Sequence, residues 1–284
     1  MSMSGGGGEG DVLPSPPSPA PVPPLHVLYE SHPAAVVLKP GGVISHSTTY
    51  ASSTELPLLQ RARNHFHRKV NLAHRLDRGA SGAVLISVDT EEAWSTSELI
   101  SKMKLGQKTY VAWCRGDGEY VRKLTDGEVE EYRGVDGTVR DVSRNEKGWF
   151  LVDRAIRNEN GNEKEARTWF KYLCGGSESC LILCRPQTGR WHQIRKHLNG
   201  LSVPILGDGV HGNSKVNRRW RERGLPENRI GLHLMRLELP KTANLAAIDV
   251  VAPIPDDLRG LVTEHVGRDA FTKLSAAVGV PLIE

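Results

Sequence analysis

Apolar positions along this chain come mostly in short bursts. His26-Val27-Leu28-Tyr29-Glu30 and Ala35-Val36-Val37-Leu38 have strand length and flank a Ser31-His32-Pro33 turn, and Pro40-Gly41-Gly42 forces the next turn. Residues 54–63 carry Leu56, Leu58, Leu59 and Ala62 at roughly helical spacing. The apolar run opening Ala83 to Val88 predicts a buried strand. Asp89 with Glu92 three residues on reads as the cap of a helix whose core face is Ala93, Trp94, Leu99, Ile100 and Met103, ended by Gly106. Lys108 to Trp113 is rich in strand formers, whereas residues 116–148 are polar and turn-rich and predict hairpins and loops. Ala166 to Tyr172 and Cys180 to Cys184 read as neighbouring antiparallel strands. Thr188 is expected to cap a helix through His192, Ile194, Arg195 and Leu198, with His192 and Arg195 on one face. Val203 to Asp208 is a short strand or turn, Leu232 to Leu239 a late strand, and 256–266 and 269–278 the last helices. Many short strands with interspersed helices predict an α+β fold, not a regular βαβ alternation.

Composition moves that picture at one end. Of 284 residues 38% are hydrophobic, but residues 1–24 hold Gly5 to Gly8 and seven prolines between Pro14 and Pro24. Such a segment cannot bury enough apolar surface to offset its ordering entropy. It is expected to be a disordered Gly/Pro-rich tail, with the folded domain at 25–284. No apolar run approaches the roughly 20 residues of a membrane span. The tail lacks the cationic start and apolar stretch of a secretory signal. Cys114, Cys174, Cys180 and Cys184 show no Cys-x-x-Cys spacing, so reduced, buried thiols in an intracellular protein are expected, with the cytoplasm as the expected compartment and a nucleus or organelle as the alternatives. The net charge of +4 is compatible with nucleic-acid binding. Two basic clusters, Arg61, Arg63, His65, His67, Arg68 and Lys69, then Arg218, Arg219, Arg221 and Arg223, are expected to form a phosphate-contacting rim.

Candidate chemistry centres on Asp77, in His74-Arg75-Leu76-Asp77-Arg78-Gly79-Ala80-Ser81-Gly82. A carboxylate between two arginines is favoured in its charged form. Held at a turn beside a strand, it can serve as nucleophile or base, or simply as a salt-bridged turn residue. A second run, Thr188-Gly189-Arg190-Trp191-His192-Gln193-Ile194-Arg195, offers cations to a distant carboxylate. Tyr110 is either a core aromatic or a ring that stacks on a nucleobase. The His65-x-His67 and His192/His197 spacings fit no metal helix, no phosphate-loop or dinucleotide fingerprint occurs, and Ser81 lacks a nucleophile-elbow context. Neither a metal nor another cofactor is expected.

Four ordered motifs resemble the RluA-type pseudouridine synthases: Lys39-Pro40-Gly41-Gly42, His74 to Gly82, Lys108-Thr109-Tyr110, and Thr188 to Arg195 with Pro204 to Asp208. His211-Gly212, Asn217-Arg218 and Leu232 to Met235 resemble the family's tRNA-acting subgroup. The resemblance covers residues 25–284 and implies a mixed, mostly antiparallel sheet with flanking helices and a central RNA-binding cleft. It implies isomerisation of a uridine, most simply in tRNA, by Asp77 as nucleophile or base. Arg195 would pair with Asp77, and Tyr110 would pack on the uracil. Arg75, His74, Lys108, Arg190, His192 and Gln193 would bind substrate. No obligate protein partner is implied, and a monomer is expected. A synthase of rRNA or another RNA, or a non-catalytic RNA-binding module of the same fold, are the alternatives. Ala80, where the family usually has Thr, and Trp191, at a variable position, bear on substrate fit.

Overall fold

The computed structural model describes residues 24–47, 56–88, 93–133, 139–145, 147–157 and 160–281. The tail as far as residue 23, the start of the 54–63 helix and the Asp89/Glu92 cap therefore lie outside the described residues.

The chain opens with a hairpin of β1 (His26–Ser31) and β2 (Ala34–Lys39), then α1 (Leu58–Phe66) and the short β3 (Val70–Leu72). β4 (Ser81–Val88), α2 (Ala93–Leu105), β5 (Gln107–Arg115) and α3 (Glu119–Asp126) follow. Next come a hairpin of β6 (Glu131–Arg133) and β7 (Val139–Asp141), then β8 (Ser143–Arg144) and β9 (Phe150–Asp153). A second small hairpin, β10 (Ile156–Arg157) with β11 (Glu163–Lys164), precedes the long pair β12 (Arg167–Gly175) and β13 (Ser179–Pro186). The last third holds α4 (Gln193–Gly200), α5 (Ser214–Glu222), β14 (Leu232–Leu239), β15 (Ile248–Val251), α6 (Asp256–His265) and α7 (Asp269–Val278).

One 11-stranded sheet organises the molecule, in the order β1-β2-β4-β14-β5-β13-β12-β9-β8, with β15 on β14 and β3 on β4. Its pairs are antiparallel except β4 with β14. The α+β, mostly antiparallel expectation is met. All eight residues of β4 are buried, because strands flank it on both sides and apolar layers cover both faces. Side chains alternate along each strand. Tyr110, Ala112 and Cys114 join one core with Ile182 and Leu234; Val111 and Trp113 join another with Leu183, Met235 and the apolar stripes of α6 and α7.

Several expectations need correcting. Residues 116–148 contain a helix, α3, as well as hairpins; Val121 and Leu124 supply its buried stripe, a signal too short to stand out among polar neighbours. α5 was read only as a basic cluster; Asn213 caps it by accepting from Lys215 and Val216 N–H groups, and Trp220 anchors it. Ile100 is half open to solvent, while Leu99 and Met103 are buried as the helical spacing predicts. Thr188 does not cap α4, which starts at Gln193 after His192 in the left-handed region at φ 55°.

Candidate active site

Asp77 sits in the turn between β3 and β4, and that turn is clamped at each carbonyl from Leu76 to Ala80. Ser45 Oγ donates to Leu76 O (2.8 Å), and Ala80 N–H donates back to Asp77 O (3.1 Å). The fully buried Lys39 ammonium donates to Pro40 O (2.9 Å), Arg78 O (3.0 Å) and Ala80 O (2.7 Å). Arg229, buried on the other side, donates to Gly79 O (2.7 Å) and to Ser81 Oγ (2.7 Å). Asp257 holds Arg229 through Nε (2.8 Å). Backbone polar groups that leave water must be satisfied. Here two buried cations do this for a turn that has no ladder to join, and so fix the backbone under Asp77.

Ser81 continues the network. Its Oγ accepts from Arg229, and its hydroxyl donates to Nδ1 of His233 (2.8 Å), because the single proton of the neutral ring is held at Nε2 by a carbonyl. His233 Nε2 then carries the proton and donates to Ala252 O (3.2 Å). Burial, opposed in part by that carbonyl, lowers the pKa of His233 from 6.5 to about 3. The ring is therefore a neutral brace.

The Asp77 carboxylate meets Arg195 across 118 positions of sequence, Nη1 to Oδ2 at 2.9 Å. Arg195 projects from the first turn of α4 and is itself held by Asp208, Nε to Oδ2 and Nη2 to Oδ1 both at 2.7 Å. Asp208 Oδ1 also accepts the Val210 and His211 N–H groups at 2.9 Å. Burial opposes the charge on each partner, but the bidentate pair prevails: Arg195 is held above and Asp208 below its ordinary pKa. One nitrogen of a locked guanidinium thus presents to Asp77, whose Oδ1 has no protein partner among the described residues.

His192 Nε2 stands 3.8 Å from the same Oδ2. Burial lowers its pKa to about 4 against the pull of Asp77, so near neutrality the ring is uncharged and the approach is not an ion pair. His192 Nδ1 shares a hydrogen bond with His211 Nε2 (3.0 Å), and the half-exposed Trp191 stacks on the imidazole with centroids 3.7 Å apart. His192 and Arg195 converge on Asp77 from the turn and from the helix start, not from a common helical face.

Around Asp77 opens a cleft of about 860 Å³ with an inner recess of about 180 Å³. Leu76, Ala80, Ile194, Leu232 and Tyr110 make the recess partly apolar. Tyr110, nearly buried in β5, has its pKa raised by burial first and then by Asp77. Its place follows from register: Gly82, Leu234, Tyr110, Cys184 and Phe170 form one row across β4, β14, β5, β13 and β12. The cleft wall carries Arg75, Arg78, Lys104, Lys108 and Arg190 against Asp77 alone among described acids.

The other predicted residues fall as follows. Arg75 is exposed at the cleft, beside His46 (3.2 Å). Arg190 is exposed and anchored through Nε to Glu165 O (2.8 Å). Lys108 donates to Met103 O (2.8 Å), and burial lowers its pKa. His74 lines the wall, but its Nε2 accepts the Leu85 N–H (3.0 Å), and burial followed by Lys108 lowers its pKa to about 3. Gln193 is buried with both ends of its amide engaged: Oε1 takes the Thr188 hydroxyl and Arg190 N–H, Nε2 donates to Arg167 O and Thr168 Oγ1. That position braces the Thr188–Arg190 turn.

The expected basic rim also changes. None of Arg61, Arg63, His65, His67, Arg68 and Lys69 lines the cleft. Arg219 and Arg223 are spent on Glu178 (3.1 and 2.6 Å), and Arg221 on backbone carbonyls of the 207–229 segment. Asp208, Lys39, His211 and His233 stand inside motifs that assign them no role; Arg229 carries no local signal.

The large mixed sheet with a basic cleft beside it is a fold that this chain shares with solved structures. Human RNA pseudouridylate synthase domain containing 1 superposes with a TM-score of 0.59 at 22% identity, covering 94% of this chain and 100% of that one. The sequence profile described as RNA pseudouridylate synthase matches residues 34–200, more than half the chain, and the protein belongs to that family. It is 27% identical over 251 residues to tRNA pseudouridine synthase C of Pectobacterium carotovorum subsp. carotovorum, covering 84% of this chain and 62% of that protein. It is 32% identical over 191 residues to a Mycoplasma pneumoniae protein described as an uncharacterized RNA pseudouridine synthase, covering 66% and 56%. The chain thus spans less than two thirds of either relative. It spans 98% of tRNA pseudouridine synthase C of Vibrio parahaemolyticus, at 27% identity.

Proposed function

We propose that this protein isomerises a uridine of tRNA to pseudouridine with Asp77 as the essential carboxylate. The observation that carries the reading is the Asp77–Arg195 pair at 2.9 Å in a cleft whose other described charged wall residues are cations. In the reaction the C1′–N1 bond breaks, the uracil turns and a C1′–C5 bond forms. N1 gains a proton and C5 loses one, so no redox partner is required. Asp77 either attacks covalently or takes a ribose proton. Both roles need an anionic oxygen facing substrate, and Oδ1 is free for it while Oδ2 faces Arg195. The partly apolar recess would hold the uracil against Tyr110. Arg75, Arg78, Lys104, Lys108 and Arg190 would offset the few kcal/mol of extruding a base by contacting backbone phosphates. The relatives named for tRNA support that substrate over rRNA.

The test is tritium release from tRNA transcripts and, in parallel, rRNA transcripts carrying 5-tritiated uridine, with mapping of the new pseudouridine. The unaltered chain should release tritium. Asp77→Asn should abolish release, by at least about 10³-fold given its assigned role in bond making, while binding the RNA comparably. Substantial turnover by Asp77→Asn would overturn the carboxylate's role; modification confined to rRNA would overturn the substrate.

A further inference from the structure

The Asp77 cleft shares Lys104, Pro186 and Gln187 with a second cavity of about 330 Å³. That cavity lies round the ends of β5 and β13, toward the opposite face of the sheet, because Thr109 and Arg185 alternate with Tyr110 and Cys184. Asn145, Trp149, Trp169, Arg185 and Gln107 line it. The Arg185 guanidinium lies 4.2 Å over the Trp149 ring, and its Nε donates to Thr109 Oγ1 (3.0 Å). Plane and direction are thereby set, yet its two terminal nitrogens have no protein partner among the described residues. Asn145 Oδ1 accepts from Lys147 N–H (3.0 Å) and Trp149 N–H (3.1 Å), which orients the amide and leaves its Nδ2 as a donor. Trp169 stands opposite Arg185 across the β12–β13 pair and is half-buried. The nearby acid, Glu238, is engaged by Gln107 Nε2 (2.7 Å) and Arg236 (3.4 Å).

Oriented donors beside an indole suit a flat ligand with acceptors on its edge. A guanidinium fork matches such acceptors, and a half-exposed Trp accepts any nucleobase face. The volume is at the small end of ligand pockets, which run from about 300 to 1,000 Å³. Resting on the RNA-modifying reading above, we propose that this cavity holds a second nucleotide of the same RNA, a few positions from the target uridine. Its base lies against Trp169 and its acceptor edge faces Arg185 and Asn145. A strand that follows the Lys104/Pro186/Gln187 rim is held at two points, and the second contact, equal in ground and transition state, lowers KM without entering the chemical step.

Unmodified tRNA transcripts substituted with 4-thiouridine, irradiated with the full-length protein, test this by peptide mapping of the adducts. Two sets are expected, one on cleft residues and one on peptides carrying Asn145, Trp149 or Trp169, from different nucleotides. Adducts confined to the cleft overturn the second site; adducts at neither overturn the RNA-binding reading itself. Arg185→Gln and Trp169→Leu should each raise KM about tenfold, within the range of one stacked base, with single-turnover kcat nearly unchanged. An unaltered KM in both would sink the proposal. Should either variant fail to fold, the crosslinks on the unaltered chain still decide.

Discussion

The reaction proposed above narrows to the Asp77 carboxylate and the guanidinium beside it, and the residue that holds this guanidinium is Asp208. Its two oxygens hold Arg195 at 2.7 Å on Nε and Nη2, so only Nη1 turns to Asp77. In Asp208→Asn the amide oxygen would stay with the Val210 and His211 N–H groups and with Arg195 Nη2, and the amide nitrogen would then face the Arg195 Nε–H donor. Arg195 should tilt away from Asp77, and a misplacement of about 1 Å costs about 10²-fold in rate. We expect kcat to fall by that order with KM for RNA little changed. Breaking a buried pair should also cost about 3–5 kcal/mol of stability. Single-turnover tritium release and urea unfolding check the two halves; full activity would show that Asp208 does not position Arg195.

At the scale of elements, the site depends on where β14 crosses. It enters between β4 and β5 and places Leu234 beside both Gly82 and Tyr110. Gly82 is at φ +126°, and a Cβ there would lie 2.3 Å from Leu234 O and 2.5 Å from Leu234 N. Neither atom can yield, since both belong to a central strand. Gly82→Ala should therefore cost more than the ~1 kcal/mol of an average point substitution, by several kcal/mol, and deplete soluble protein. A melting temperature within 2–3 °C of the parent, about 1 kcal/mol at this size, would refute the close approach. The Ser-Gly of the first motif is thus explained by packing: Ser81 anchors His233, and Gly82 lets a strand pass. β1, β2, β4, β5, β12 to β14, α6 and α7 were legible because each carries its own apolar period. α3 and α5 were not, since each offers few buried residues within a polar surface. The start of α4 was misplaced because a side-chain cap was inferred from Thr188, whose hydroxyl is engaged by Gln193.

Over the whole molecule, buried neutral histidines couple folding to pH. His197 and His233 are fully buried, and burial lowers their pKa values to about 4 and about 3 from 6.5. In the unfolded chain each takes up a proton below about pH 6.5, whereas in the fold it does not. The unfolded state then binds more protons, so stability is full above about 6.5 and falls as the pH drops toward 4. Each contributes at most about 1.4 kcal/mol per pH unit. Unfolding free energies from urea titrations at pH 7.5 and 5.0 should differ accordingly, by up to about 4 kcal/mol from this pair. Equal values would mean that these rings are protonated, or open to water, in the fold.

Local order in the chain was enough for the α+β class, most strands, the closing helices and the candidates Asp77, Tyr110 and Arg195, since periodicity and motif spacing are properties of neighbouring residues. What brought Asp77 to Arg195, placed Asp208 behind it, and closed the turn with Lys39 and Arg229 is sheet order. Those partners lie tens to more than a hundred positions apart, and their worth comes from burial, which strengthens a paired charge and penalises an unpaired one. The same holds for the basic wall: which arginines face the cleft and which are spent on Glu178 depends on which surface each element turns outward, and packing alone sets that.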